Sequence, residues 1–214
     1  MSNLVSRLPL ERFQPGAETW PNTTFPLVFA HYDDQKIIGE GVLVGPQTVL
    51  TLTRNLHREG AQPSSVEIGV AWDGINQADT SEVSAWALPS DHQAGEGLGV
   101  IRVKKDFSRK YGHLGLGSVP DLAQEQLFAY AFRKGERKSE VVPIGNPRVS
   151  GDLISYDLLT NHDPIVGAAL VRRRPDGGYD LVGLHVETAE GRHQAQFLTE
   201  ARITWVSDFM GEDR

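Results

Sequence analysis

Short apolar segments of strand length, separated by turns that contain glycine or proline, recur along most of this chain. The alternation is clear at Val66, Ile68 and Val70 and again at residues 83–87, where every second residue is apolar. This period of two is typical of a strand with one buried face. The chain of 214 residues contains 22 Gly and 12 Pro, which suits many short strands joined by turns. The pattern predicts an all-β protein.

The strand candidates fall into two groups of six, which predicts two six-stranded antiparallel β-barrels. The first group comprises residues 25–31, 36–44, 48–53, 65–71, 81–88 and 98–103. The second group comprises residues 126–132, 140–146, 153–158, 168–173, 179–187 and 194–198. Between two segments of the second group, the run Pro175-Asp176-Gly177-Gly178 is the strongest turn signal in the chain.

The last segment of the chain changes to helical periodicity. Thr199 can act as an N-cap, and Ile203, Val206 and Met210 follow at helical spacing. The expected organisation is an N-terminal arm at 1–24, a first barrel at 25–106, an interdomain crossing at 107–125, a second barrel at 126–198 and a C-terminal helix at 199–214.

A sequence landmark at residues 39–54 reads GEGVLVGPQTVLTLTR. It resembles a pattern of the trypsin-like serine protease superfamily, in which a G-x-G strand and a turn precede V-L-T-A-A-H and the histidine is the general base. Arg54 occupies the position of that histidine. Because a guanidinium stays protonated at any working pH, Arg54 cannot take a proton from a nucleophile.

A second landmark, GLGVIRV at residues 97–103, looks like the D-I-A-L-L-K-L strand of the same superfamily. The leading aspartate of that strand orients the catalytic histidine. Gly97 stands in its place, and glycine has no side chain that could hold a tautomer or stabilise an imidazolium.

The third landmark is SYDLLTNHDPIVGAALV at residues 155–171, followed by LVGLH at residues 181–185. It is similar to the glutamyl-endopeptidase branch, where Y-D-x-x-T precedes G-x-S-G-S-P-V and a G-I-H strand follows. Alignment on the G-S-P-V core puts the nucleophile at Val166, and alignment without a gap from Tyr156 puts it at Ile165. Neither residue has a hydroxyl, and no Ser, Thr or Cys lies at residues 162–170.

The resemblance implies a trypsin-like fold of two barrels with a C-terminal helix packed on the second barrel. It also implies a degenerate triad, with Arg54, Gly97 and Val166 at the catalytic positions. In the superfamily, glycines around the nucleophile let backbone N–H groups converge on the substrate oxygen. Here Asp163 and Pro164 precede it, and proline supplies no N–H.

Four residues are candidates for binding. Arg54 offers a cationic anchor, and His162 and Asp163 lie just upstream of the former nucleophile. His185 ends the G-L-H sequence, which matches the motif whose histidine helps to bind an acidic side chain in the glutamyl-endopeptidase branch. The alternative for His185 is an inherited histidine that is hydrogen-bonded within the second barrel.

The favoured hypothesis is an inactive pseudoprotease that binds a protein or peptide partner through its former substrate cleft. One alternative is a structural subunit of a larger assembly, and the sequence leaves the oligomeric state open. The other is a serine hydrolase with relocated residues. Its candidates are His57, Ser150, Ser155 and Thr160, but one helical turn separates His57 from the expected position of the base, about 5 Å against the reach of about 3 Å that proton transfer needs.

Composition argues against several other functions. A net charge of -7 and a pI of about 5.5 disfavour nucleic-acid binding, which needs clustered positive charge. The 7 histidines include no helical i, i+4 pair, so no metal or other cofactor is expected. The absence of cysteine favours a bacterial or intracellular origin. No signal-peptide run and no stretch approaching the roughly 20 apolar residues of a membrane span is present, so we expect a cytoplasmic protein without membrane association.

Overall fold

The computed structural model describes residues 25–33, 35–58, 60–72, 77–90, 97–117, 125–133, 139–189 and 191–211. The expected N-terminal arm at 1–24 lies outside the described residues. No helix in the described ranges is long and apolar enough to cross a membrane.

Six antiparallel strands form a closed first barrel. They are β1 (Leu27–His31), β2 (Lys36–Gly45), β3 (Thr48–Leu52), β4 (Ser65–Trp72), β5 (Gln77–Ala87) and β6 (Leu98–Val103). Their order around the barrel is β1-β2-β3-β6-β5-β4, and pairing of β1 with β4 closes it. The alternating apolar residues of these strands fill the interior, where Val28, Leu43, Val49, Ile68 and Ile101 are fully buried. Each such side chain contributes about 1.5–3 kcal/mol by leaving water.

The crossing between the barrels contains more regular structure than its sequence indicated. A single helical turn, α1 (Ser108–Tyr111), and a two-residue strand, β7 (Gly115–Leu116), lie within it. The N–H of Leu114 donates to the carbonyl oxygen of Leu43 at 2.9 Å, and the N–H of Gly117 donates to that of Leu181 at 2.9 Å. The crossing is therefore hydrogen-bonded to both barrels.

The second barrel is also closed and antiparallel. Its strands are β8 (Leu127–Arg133), β9 (Ser139–Ser150), β10 (Leu153–Leu158), β12 (Ala169–Arg173), β13 (Tyr179–Ala189) and β14 (Arg192–Phe197), and a short strand β11 (His162–Asp163) precedes β12. The order is β8-β12-β13-β14-β10-β9, closed by β8 and β9, while β11 adds to β8 and β7 runs parallel to β13. The predicted fold class, two six-stranded barrels with a C-terminal helix, is confirmed.

Helix α2 (Glu200–Gly211) connects the two barrels. Thr199 caps it as predicted, since its hydroxyl oxygen accepts from the N–H of Arg202 at 3.4 Å. The Arg202 side chain bonds Asp152 Oδ2 at 2.6 Å and the carbonyl oxygen of Phe197 at 3.2 Å, both in the second barrel. The other end of α2 contacts the first barrel, because Arg102 of β6 donates to the carbonyl oxygen of Phe209. The helix therefore contacts the second barrel, as expected, and the first barrel as well.

Candidate cleft at the junction of the barrels

Arg54 lies in a tight turn that follows β3 directly. Residues Thr53–Asn55 form a 3-10 turn, and the N–H groups of Leu56 and His57 both donate to the carbonyl oxygen of Thr53 at 2.8 Å. The N–H of Thr53 donates in turn to the carbonyl oxygen of Gly97 at 3.0 Å. The structure thus brings the turn of Arg54 next to Gly97.

Gly97 has a backbone conformation that an aspartate would not readily adopt. Its φ is +94°, and a Cβ built there would lie 3.5 Å from Thr53 Oγ1, which is an ordinary contact. Space is therefore available, but an L-residue with this φ costs about 1–2 kcal/mol. An aspartate introduced at this position would be strained by its backbone rather than by its neighbours.

The segment at residues 165–168 is the one that the sequence resemblance aligns with the nucleophile of the superfamily, and it is here called the former nucleophile turn. It carries apolar side chains. Ile165 is 7% exposed and belongs to a hydrophobic core cluster. The partly buried Val166 packs against that cluster. The N–H of Gly167 donates to the carbonyl oxygen of His185 at 2.8 Å, and the N–H of His185 donates to that of Ala168 at 2.8 Å. The turn is therefore hydrogen-bonded to β13 in both directions.

The backbone of this turn offers few donors to a substrate oxygen. The resemblance places donors just before and just after the nucleophile. Pro164 has no N–H, and the N–H of Gly167 is already bonded to His185. An oxyanion hole of the superfamily's kind needs preorganised donors that converge on one point, and these two positions do not supply them.

The former nucleophile turn packs directly on the first barrel at Glu40. Gly167 has a φ of +93°, and a Cβ built on it would lie 2.8 Å from the carbonyl oxygen of Glu40. That oxygen accepts from Thr51 Oγ1 at 2.7 Å, and Thr51 Oγ1 accepts from Asn55 Nδ2 at 2.8 Å. Asn55 belongs to the turn of Arg54. One small network at the junction of the barrels therefore connects the former nucleophile turn with the turn of Arg54.

His185 is buried behind this junction and is held neutral. It is 3% exposed, and its Nδ1 lies 3.0 Å from the hydroxyl of the fully buried Tyr156. Burial, then the charges of His193 and Arg54, lower the pKa of His185 to about 3, against the opposing effect of a hydrogen bond to the Gln194 backbone. A neutral imidazole has one N–H donor and one acceptor nitrogen, so the ring can bond both the Tyr156 hydroxyl and the Gln194 backbone without a second proton.

The effect of Arg54 on the pKa of His185 shows that the guanidinium lies within electrostatic range of this histidine. His185 and Arg54 come from different barrels, so the junction contains groups from both. Because His185 is neutral at physiological pH, Arg54 rather than this histidine supplies the positive charge there. This relationship was not predicted from the sequence, since it depends on the burial of His185.

His162 and Asp163 form β11, where they pair with Arg133 and Phe132 of β8. His162 is 6% exposed, whereas Asp163 is exposed. The hydroxyl of Thr160 lies 2.9 Å from Nδ1 of His162, a hydroxyl–imidazole pair that the sequence did not indicate. Nε2 of His162 is buried without a hydrogen-bond partner among the described residues. Within those residues no carboxylate orients this ring, so the pair lacks the third member that activates a nucleophile.

Strand β13 extends beyond the end of its neighbour β12 at this site. On one side β13 pairs with β12 only as far as Leu184, opposite Ala169, while on the other side it pairs with β14 as far as Ala189. Glu187 and Thr188 in this extension are exposed. Residues 186–189 therefore present a strand edge that pairs with no other strand of the described chain besides β14.

Within the described ranges, no group of three or more His, Cys, Asp or Glu side chains could hold a metal ion. The adjacent His162 and Asp163 illustrate the reason. Neighbours on an extended strand point to opposite faces, and here one is buried and the other exposed.

Comparison with known proteins identifies the fold. No model of a protein family matches the chain, and no curated protein matches it. Among solved structures, it is similar to a Glu endopeptidase determined in complex with MPD, with 13% sequence identity and a TM-score of 0.66. The match covers 92% of this chain and 94% of that one. The chain therefore has the trypsin-like, two-barrel protease fold, as its sequence landmarks predicted.

Proposed function

We propose that this protein is a catalytically inactive trypsin-like pseudoprotease that binds a protein or peptide partner through its former substrate cleft. The proposal rests on the residues that lie at the junction of the two barrels. The sequence landmarks align Arg54, Gly97 and Val166 with the catalytic positions of the fold, and none of these side chains can act as the base, the orienting acid or the nucleophile.

The edge of β13 supports binding of an extended segment. Residues 186–189 offer backbone N–H and C=O groups on the side away from β14, and such an edge can pair with an added strand. Main-chain hydrogen bonds would supply affinity, and the side chains around the cleft would supply selectivity.

Arg54 supports a preference for an acidic residue in that segment. Its charge lowers the pKa of His185, which directly precedes the strand edge at residues 186–189. A guanidinium pairs with a carboxylate in a planar, bidentate manner. The preferred partner is therefore a peptide with an acidic side chain next to its paired backbone.

The experiment is a selection from a library of extended peptides, followed by affinity measurement for the enriched sequences. We expect enrichment of acidic residues and at least a tenfold loss of affinity in Arg54→Glu. Arg148→Glu is the matched control, because Arg148 is exposed on β9 away from the junction. Unchanged binding in both Arg54→Glu and a variant with a bulky Thr188→Trp substitution at the strand edge would reject the cleft as the binding site.

Inactivity is tested separately with fluorogenic peptides and a covalent probe for reactive hydroxyl nucleophiles. We expect no turnover above background and no labelling. Labelling that disappears in Thr160→Val would instead establish the relocated hydrolase, with the Thr160 and His162 pair as its centre.

A further inference from the structure

Glu40 is a carboxylic acid enclosed at the junction of the barrels. It is 1% exposed and lies opposite Leu27 in the pairing of β1 with β2. Its carbonyl oxygen accepts from Thr51 Oγ1 at 2.7 Å and from Asn55 Nδ2 at 3.4 Å. The pairing with β1 and these hydrogen bonds fix the backbone of Glu40, and with it the position from which the side chain extends.

The former nucleophile turn covers this residue. A Cβ on Gly167 would lie 3.0 Å from Cβ of Glu40, so only a glycine allows the turn to come this close. The N–H of Gly167 and the N–H of His185 then form the two hydrogen bonds that join the turn to β13. Packing at Glu40 is therefore a direct contact between β2 and the turn at residues 165–168.

The carboxyl group itself is not satisfied. Oε2 of Glu40 is buried and has no hydrogen-bond partner among the described residues. The elements packed against it carry these titratable or charged residues: His31 on β1, Lys36 on β2, Arg54 and His57 after β3, Asp163 before the turn and His185 behind it. Burial is nevertheless the cause that raises the pKa of Glu40 well above its ordinary value. An unpaired carboxylate at this place would need water or movement of its surroundings.

We propose that Glu40 is a switch built into the junction: its neutral form keeps the turn at residues 165–168 packed on β2, and loss of its proton admits water and frees that turn. The turn borders the cleft, so the width of the cleft becomes dependent on pH. The proposal is independent of what the cleft binds, because it concerns only the contact between Glu40 and Gly167.

The test is amide hydrogen exchange, followed by NMR from pH 5 to pH 9 on the full chain. The protection factors of Gly167 and His185, corrected for intrinsic exchange, are expected to fall by up to about tenfold per pH unit above the ordinary pKa of a glutamate. The protection factors fall as pH rises because the closed state binds the proton and the open state releases it. Glu40→Gln should abolish the decline, whereas the control Glu187→Gln, exposed on β13, should retain it.

Two results would overturn the proposal. One is protection at Gly167 and His185 that does not change with pH in the wild type. The other is exchange of both amides with the same free energy as Ile101 in the first-barrel core, which would mean that only global unfolding exposes them. If Glu40→Gln does not fold, Glu40→Met serves as the second non-ionising variant, and the wild-type profile alone already decides between these outcomes.

Discussion

Arg102 of β6 donates a hydrogen bond to the carbonyl oxygen of Phe209 in the last turn of α2, and its guanidinium lies 4.6 Å from the centroid of the Phe209 ring. One side chain thus binds the helix through a carbonyl of its last turn, where carbonyls have no intrahelical partner, and through a cation–π contact. A positive charge at this end also complements the helix dipole.

Substitution of Arg102 by methionine keeps an extended apolar side chain but removes both interactions. We expect Arg102→Met to lower the free energy of unfolding by about 1–3 kcal/mol. Urea denaturation measures this change. Arg109→Met is the control, since the Arg109 side chain is 92% exposed, and it should change stability by less than about 0.5 kcal/mol. Equal stability of the two variants would show that α2 does not depend on Arg102.

Alanine substitutions at two glycines distinguish the loss of stability caused by backbone strain from the loss caused by a steric clash. Gly167 (φ +93°) faces the backbone of Glu40, whereas Gly177 (φ +86°) has nothing within 4 Å of an added Cβ. Gly177→Ala should cost about 1–2 kcal/mol through its φ alone. Gly167→Ala should cost about 3 kcal/mol or more, because overpacking adds to the strain. Thermal and urea unfolding of both variants measure the difference, and similar losses would argue against close packing of the turn on β2.

Burial of His185 predicts a loss of stability in acid. Its pKa is about 3 in the folded protein and about 6.5 in an unfolded chain. Between these values the unfolded state binds more protons, so the stability contributed by this group is complete above about pH 6.5 and declines as pH falls toward about 3. The slope reaches at most about 1.4 kcal/mol per pH unit.

Comparison of the wild type with His185→Leu isolates this effect. Glu40 makes the free energy of unfolding change with pH in the opposite direction, but it does so equally in both proteins. We expect the stability of the wild type relative to His185→Leu to fall between about pH 7 and pH 4, whereas His113→Gln, exposed in the crossing, should follow the wild type. Parallel pH profiles for the wild type and His185→Leu would contradict a neutral, buried His185.

Introducing the superfamily's three catalytic residues at the aligned positions should not confer peptidase activity. In the triple variant Arg54→His, Gly97→Asp and Val166→Ser, the new aspartate meets a φ of +94°, and Pro164 still offers no N–H to a developing oxyanion. We expect turnover of acidic fluorogenic peptides to stay at background. The matched control carries the same first two substitutions with Val166→Ala as the third. Hydrolysis by the triple variant but not by this control would show that the backbone remains competent.

Much of the fold could be predicted from local pattern. The boundaries predicted for the strands at residues 98–103 and 153–158 match β6 and β10, because period-two burial and flanking turns are local properties of the sequence. Strand β9 runs to Ser150, beyond the predicted end at 146. Asn146 adopts a φ of +48° there, so the strand continues past a local irregularity that resembles a turn in the sequence.

The features that sequence reasoning missed are those made by distant residues. Nothing local marks Glu40 as buried, since it lies in a strand whose alternation is already imperfect, and Gly167, which packs against it, is 127 positions away in the sequence. The bond between Tyr156 and His185 likewise joins residues 29 positions apart. Short motifs allowed Arg54, Gly97 and Val166 to be singled out, whereas their surroundings could not be predicted.

Helix α2 has a consequence for biosynthesis. It is made after both barrels, and it touches the second barrel through Arg202 and the first through Phe209. On the ribosome, each barrel can therefore close, and the two can meet at Glu40 and Gly167, before this helix packs on either of them. A nascent or truncated chain lacking Phe209 would keep that contact between the barrels but would lose the one that Arg102 makes with the helix.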